Sequence, residues 1–257
     1  MPADTITTLL LGDVYSDSGI RVLFFKLSEL RKKYRADFVI ANGENSCDGF
    51  GISKADMNKL FELGVDVITS GNHIWQQEDI LPSLDSESRI LRPCNYPASV
   101  PGHGSVLYKG IGVINVQGRV NMPAIDDPFK TASDCVKKLR AQTKLIFVDI
   151  HAESAEEKEA LAYHLAGSVS CVVGTHVHVQ SADERIIGGS TAFISDLGMT
   201  GPSEGIIGSD CGLAIKRQKT QMPIKSVPSQ SNAKIFGVAV TCDRQTGKAL
   251  SIERFSV

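Results

Sequence analysis

The chain has 257 residues, 42% hydrophobic and 22% charged, the composition of a globular protein long enough to bury a substantial core. Its formal net charge of −2 is at odds with the clustered basic surface of a nucleic-acid binder, so no stable nucleic-acid partner is expected. The six cysteines form no CxxC pair, the start Met1-Pro2-Ala3-Asp4 lacks a basic leader, and no run approaches the roughly 18 apolar residues of a membrane span. A cytoplasmic protein with reduced thiols and no membrane partner is the expectation.

In chain order, the apolar run 8–11 reads as a buried strand ending at Gly12-Asp13. Ile20, Leu23, Leu27 and Leu30 then recur at helical spacing, and the basic residues 31–35 suit a helix C-terminus. A second run, 38–41, ends at Asn42-Gly43-Glu44-Asn45. Ser53 caps a helix carrying Met57, Leu60 and Phe61, with Gly64 as its stop. Run 65–68 leads to Gly71-Asn72-His73. The Pro- and Gly-rich stretch 92–118 supplies alternating segments near 106–107 and 113–116, read as antiparallel strands of a second sheet, and helix resumes near 130–141.

Run 145–148 ends at Asp149-Ile150-His151, followed by Ser154 and Glu157 in capping-box spacing. Run 169–173 ends at Gly174-Thr175-His176-Val177-His178. Residues 191–195 form another strand, 199–202 a loop, and 218–232 a polar stretch of little periodicity. Closing strands near 234–241 and 249–255 flank a turn at 243–247. The simplest assembly is one α/β domain spanning 1–257, with two packed mixed sheets flanked by helices.

Five strand ends therefore carry metal-competent side chains, and in open α/β sheets ligands bind outside the carboxyl ends of the strands. Taken singly, each has a bland explanation. Asn42-Gly43 and Gly71-Asn72 suit turns, Asp13 suits a helix cap, and a lone histidine is more often packed or at the surface. Their coincidence at successive strand ends carries the metal reading. His103 and His164 have no such company and read as ordinary residues. Cys47, two residues after Asn45, falls near the site, whereas Cys171 inside an apolar run reads as a small buried hydrophobe.

Carboxylate, amide and imidazole donors without thiolate suit Fe or Mn, with Zn as an option. One ion needs only about four ligands, so the surplus points to two divalent or mixed-valence ions bridged by a carboxylate. His176 and His178, two apart, face one side of an extended segment and reach different ions. Two ions about 3.5–4 Å apart generate a hydroxide and stabilise charge during in-line attack on phosphorus. Two divalent ions against only Asp13 and Glu44 leave a positive site that attracts an anionic ester.

The ordered set Gly12-Asp13, Gly43-Glu44-Asn45, Gly71-Asn72-His73, His151 and Gly174-Thr175-His176-Val177-His178 resembles the calcineurin-like metallophosphoesterases, and more closely their YmdB-type bacterial branch. The segments Arg92-Pro93-Cys94-Asn95-Tyr96-Pro97, Gln117-Gly118-Arg119, Asp126-Asp127-Pro128-Phe129, Asp149-Ile150-His151-Ala152-Glu153 and Gly198-Met199-Thr200-Gly201-Pro202 extend the likeness over nearly the whole chain. The resemblance implies that Asp13, Glu44, Asn45 and His178 hold one ion. Glu44, Asn72, His151 and His176 would hold the other, and His73 would protonate the leaving oxygen. The superfamily's histidine two positions after the first aspartate is Tyr15 here, with Asn45 making up the loss. The loop Tyr15-Ser16-Asp17-Ser18-Gly19 departs from the branch's Gly-rich turn, which bears on substrate preference.

The implied activity is hydrolysis of small phosphodiesters, above all 2′,3′-cyclic nucleotides, by metal-activated hydroxide. The rivals are a phosphomonoesterase on the same centre and a regulatory or binding protein with incidental turnover. Arg119 would orient phosphate or form a plain salt bridge, and Trp75 would stack on a base or simply pack. A homo-oligomer is left open, as no stripe identifies an interface.

Overall fold

The computed structural model describes residues 4–257. β1 (Thr5–Leu11) feeds the two-residue β2 (Asp13–Val14), and α1 (Ser16–Tyr34) follows, closed by Arg35 in the left-handed region. Next come β3 (Phe38–Asn42), α2 (Lys54–Glu62) and β4 (Val67–Thr69). Ser53 caps α2 as expected, its hydroxyl accepting the Asp56 N–H. A 3-10 turn (Glu78–Ile80) runs into α3 (Leu81–Ser86), and then β5 (Ser105–Tyr108) and β6 (Ile111–Gln117) form the anticipated antiparallel pair. The chain continues through α4 (Pro128–Arg140), β7 (Ile146–His151), α5 (Ala155–Leu165), β8 (Cys171–Thr175), β9 (Arg185–Ile187) and β10 (Thr191–Ile194). It closes with β11 (Met199–Pro202), α6 (Cys211–Thr220), β12 (Ala233–Lys234), β13 (Phe236–Asp243) and β14 (Ala249–Ser256).

The five-stranded sheet runs β14-β13-β1-β3-β4, with β1, β3 and β4 parallel. A six-stranded sheet runs β5-β6-β7-β8-β10-β9, its four central strands parallel. The two sheets pack face to face through Leu10, Phe38, Ile40 and Val240 on one side and Val113, Phe147, Val173 and Ile194 on the other. On their outer faces Leu23, Leu27 and Leu60 from α1 and α2 cover the first sheet, and Val136, Leu139 and Leu161 from α4 and α5 cover the second. This is the mixed two-sheet α/β sandwich expected from the apolar runs. Among the described residues no helix is long and apolar enough to cross a membrane.

Two local readings change, and one helix is added to them. Residues 199–202 are not a loop but β11, paired with β2 and β12 in a small third sheet. All four residues are buried, but the strand is too short and mixed to show an apolar alternation, and its backbone pairing with β2 and β12 is invisible in the sequence. Cys211–Thr220 forms a helix, capped by the Asp210 carboxylate on the Leu213 N–H; it buries only Ala214, so it carries almost no periodic signal. Ser154 and Glu157 make only half of a capping box. Ser154 Oγ accepts the Glu157 N–H, but the Glu157 carboxylate reaches away to the N–H groups of Arg119 and Val120.

Candidate metal centre

The carboxyl ends of β1, β3 and β4 in one sheet and of β7 and β8 in the other face the same edge of the sandwich. His151 ends β7, Asp13 opens the short β2, and the loops carry Glu44, Asn45, Asn72, His73, His176 and His178. The third sheet sets the first of these. Asp13 N–H donates to Gly198 O (3.1 Å) and Tyr15 N–H to Thr200 O (2.8 Å), so β11 is a backbone rail for the Asp13 loop. The approach is so close that a Cβ on Gly12 would stand 2.1 Å from Gly198 O.

Glu44, wholly buried, is the centre of the cluster. Its Oε1 lies 2.9 Å from His151 Nε2, 3.5 Å from His73 Nδ1 and 3.3 Å from Asn45 Nδ2, and its Oε2 accepts the His73 backbone N–H at 3.2 Å. Gly71 makes room for this: a Cβ there would meet Glu44 Oε2 at 2.3 Å and His151 Cδ2 at 2.1 Å. Glu44, His151 and His176 each bring a donor atom within 4.8 Å of the others, the separation one cation can span.

The hydrogen bonds fix which nitrogen of each histidine is free. The Thr175 hydroxyl donates to Asp149 Oδ1 at 2.8 Å, so it accepts from His151 Nδ1–H at 2.9 Å and leaves the His151 Nε2 lone pair facing the cluster. His176 Nε2–H points at Glu153 Oε2, 3.2 Å away, leaving Nδ1 directed inward. His178 Nδ1–H donates toward Ile207 O at 3.4 Å, which turns Nε2 toward Asn45 (3.2 Å) and Asp13 Oδ1 (3.8 Å). His176 and His178 do not sit on an extended segment. Their φ values are +104° and +68°, and the turn is pinned where Asp13 Oδ2 accepts the His176 N–H and Asp196 Oδ2 the Val177 N–H. They still reach different parts of the cluster.

Three observations fit these residues to cations. Asn72 Oδ1 is buried with no hydrogen-bond partner among the described residues. His176 Nδ1 and His151 Nε2, both directed inward, are 3.0 Å apart, a separation that needs a proton or a cation between the two lone pairs. Asn45 turns its Nδ2 toward Asp13 Oδ1, Glu44 Oε1 and His178 Nε2; a half-turn of the amide puts an oxygen among the same groups.

The electrostatics agree with a site built for positive charge. Burial drives the Asp13 carboxyl up to about 6, with His178 and His151 opposing. Burial would also raise Glu44, but the His151 imidazole beside it, together with His73, holds it at about 2. Burial works against a charged His151, yet Glu44 and Asp13 lift it to about 9. Burial and the neighbouring His151 push His176 down to about 3, and burial lowers His73 against the pull of Glu44.

A layer of buried polar groups behind the cluster joins the two sheets. Asn42 Nδ2 donates to Asp149 Oδ2 (3.1 Å) and Ser70 O (3.2 Å), Thr69 Oγ1 to Asp149 Oδ2 (2.5 Å), and Asn115 clasps Ser70 through both its N–H and C=O. Sequence reasoning placed Asn42 among the strand-end residues but assigned no role to Asp149, Thr175 or Glu153. A signal existed for Asp149, which shares the face of His151 two residues on; Thr175 is the register partner of His151 across the strand pair.

His103 is exposed, and its carbonyl accepts the Arg92 N–H; exposed His164 meets Ser133. Arg119 reaches Asp127 at 3.7 Å. Trp75 packs edge-on to Tyr96, with ring centroids 5.2 Å apart, against the first core. Cys47 is half-buried on the loop after Asn45, and Cys171 is fully buried.

The chain is 40% identical to a 2′,3′-cyclic-nucleotide 2′-phosphodiesterase of Bacillus subtilis (strain 168), covering 97% of this chain and 96% of that protein. A crystal structure of a novel phosphatase from Mycoplasma pneumoniae superposes with a TM-score of 0.93 at 32% identity, over 99% of this chain and 94% of that one. A hypothetical protein from Thermus thermophilus superposes at 0.89, also at 32% identity, over 98% and 99% of the two chains. Residues 9–255 match the family described as YmdB-like protein, and the chain belongs to that family.

Proposed function

We propose that the protein is a dinuclear-metal phosphodiesterase that hydrolyses small phosphodiesters, with 2′,3′-cyclic nucleotides as its substrates. The carrying observation is the convergence of Asp13, Glu44, Asn45, Asn72, His151, His176 and His178 on one strand-end edge, with Glu44 in the middle and His73 at the rim. The name of the Bacillus subtilis relative supports the substrate class. Residues 1–257 act as a single metallophosphoesterase domain in this reading, since both sheets contribute donors.

One ion would be held by Asp13, Glu44, Asn45 and His178, the other by Glu44, Asn72, His151 and His176. The oxygen and imidazole donor set suits iron or manganese, with zinc as an option. When bound, such ions neutralise the non-bridging phosphate oxygens and make a water acidic enough to attack in line. The protein supplies the rest. Glu44 ties the two halves of the site and anchors the His73 backbone. His73 Nδ1 lies 2.9 Å from the Asn45 amide, and the half-turn that would put the amide oxygen among the donors makes Asn45 Nδ2–H the donor to Nδ1, so that Nε2 carries the proton that would pass to the departing ribose oxygen. Asp149 and Glu153 orient His151 and His176 from behind.

The test is turnover of 2′,3′-cAMP by metal-analysed protein, beside 5′-AMP. The reading expects release of a nucleoside monophosphate from the cyclic diester, lost in Asp13→Ala. Preferred turnover of 5′-AMP would instead identify a monoesterase on the same centre.

A further inference from the structure

Phe50 is 49% exposed and lies ring against ring with His73, the centroids 4.4 Å apart and the planes inclined by 50°. Its loop is held firmly. The Cys47 N–H donates to Gly51 O and the Phe50 N–H to Cys47 O, both at 2.9 Å, and Gln77 Nε2 donates to Phe50 O at 2.8 Å. Asp48, Gly49 and Gly51 all adopt left-handed backbone, with φ of +50°, +81° and +87°. Gly49 lies against Tyr15, where a Cβ would meet the phenol Cζ at 2.5 Å, and Tyr15 in turn packs edge-on to His178. The loop is thus wedged between both ends of the donor cluster.

An apolar ring left half in water gains little from burial in the free protein. Here a bonded loop stations one beside the proposed proton donor, half exposed to solvent. The single tryptophan does not serve this purpose, because Trp75 is packed against Tyr96 and the first core. In a nucleoside 2′,3′-cyclic phosphate the base and the phosphate hang from one ribose. A base lying on a ring next to His73 therefore leaves its phosphate over the donor cluster and its ester oxygen beside the imidazole.

We propose that Phe50 is the platform on which the nucleobase of the substrate stacks, making it the residue that selects nucleoside cyclic phosphates over cyclic diesters with no aromatic group. The proposal rests on the phosphodiesterase reading. Stacking is tolerant of base identity, since every base has a π-face, so purine and pyrimidine cyclic nucleotides are both accepted.

The experiment compares 2′,3′-cAMP with glycerol 1,2-cyclic phosphate, which has the same strained ring and no base, in wild type, Phe50→Leu and Phe50→Tyr. The ratio of kcat/KM for the two substrates falls about ten-fold or more in Phe50→Leu, carried by KM for 2′,3′-cAMP, and Phe50→Tyr restores it. A ratio within about two-fold of wild type in Phe50→Leu overturns the proposal. Calorimetric binding of 3′-AMP and of ribose 5-phosphate to the same metal-loaded proteins reads the stack without turnover. If wild type hydrolyses neither diester, the phosphodiesterase reading fails, and weaker 3′-AMP binding by Phe50→Leu, with ribose 5-phosphate unaffected, still supports the platform. Equal 3′-AMP binding by both proteins overturns it.

Discussion

Glu44 Oε1 and His151 Nε2 are 2.9 Å apart, both side chains wholly excluded from solvent. Glu44 Oε1 also has Asn45 Nδ2 at 3.3 Å and His73 Nδ1 at 3.5 Å, and His151 Nε2 has His176 Nδ1 at 3.0 Å, so this crowded contact is stable only with a proton or a cation between acid and base. Glu44→Gln keeps the shape and removes the charge. It is expected to lose metal binding and to lower activity by more than the roughly 10–100-fold that removal of an outer partner costs. Metal analysis and the thermal shift on adding Mn²⁺ check this; wild-type metal content in Glu44→Gln would exclude a bridging role.

The chain from Asp149 through the Thr175 hydroxyl to His151 sets the imidazole tautomer without touching the proposed cation position. Thr175→Val removes the relay at nearly constant volume. Metal affinity is expected to drop about 10–100-fold, while circular dichroism stays native. Equal affinity in a competitive chelator titration would show that His151 needs no such orientation.

Loss of His73 should leave the metals in place and depend on the leaving group. His73→Asn is expected to slow hydrolysis of 2′,3′-cAMP about 10²–10⁴-fold. A diester leaving as nitrophenolate, which needs no proton, should be affected far less. Identical losses on both substrates would assign His73 to binding and not to proton transfer.

Lys158 is 1% exposed and pairs with Asp196 at 2.8 Å, while the same carboxylate oxygen accepts the Val177 N–H between the two histidines. Lys158→Met strands a buried carboxylate, at a cost of about 3–5 kcal/mol. Lys158→Met with Asp196→Leu should recover only part of this, because Val177 and Gly198 then lose their acceptor. Urea unfolding of the single and double variants measures both.

Asp183 is partly exposed, and burial opposes its charge, but donors from Ser181 and Ser195 outweigh that and hold its carboxyl below the usual value. A depressed folded value means its contribution is present above the unfolded pKa and is lost as pH falls through the folded one. Asp183→Asn is therefore expected to cost about 1 kcal/mol at pH 7, less where water screens it, and the cost is expected to fall away as pH drops below the ordinary carboxylate range and through the depressed folded value. Thermal unfolding across that range tests the sign; a constant difference would remove Asp183 as the source.

The edge that gathers the candidate donors was legible in the sequence because it rests on local patterns. Short branched apolar runs between helical stretches read as buried strands, and a parallel strand must end where its loop begins, so the positions of Asp13, Glu44, Asn72, His151 and His176 follow from the strand pattern. The helices at Ser16–Tyr34 and Lys54–Glu62 were equally readable, since each buries one periodic face. The rest required the folded chain. The strand Met199–Pro202 exists through backbone pairing with the Asp13 loop, and pairing partners far apart in sequence leave no periodic mark. The left-handed turn at His176 and His178 depends on the carboxylates of Asp13, which comes from the other side of the sandwich, and of Asp196, which follows the neighbouring strand β10. Phe50 meets His73 only in the folded chain, because proximity between loops is decided by tertiary packing and not by spacing along the chain.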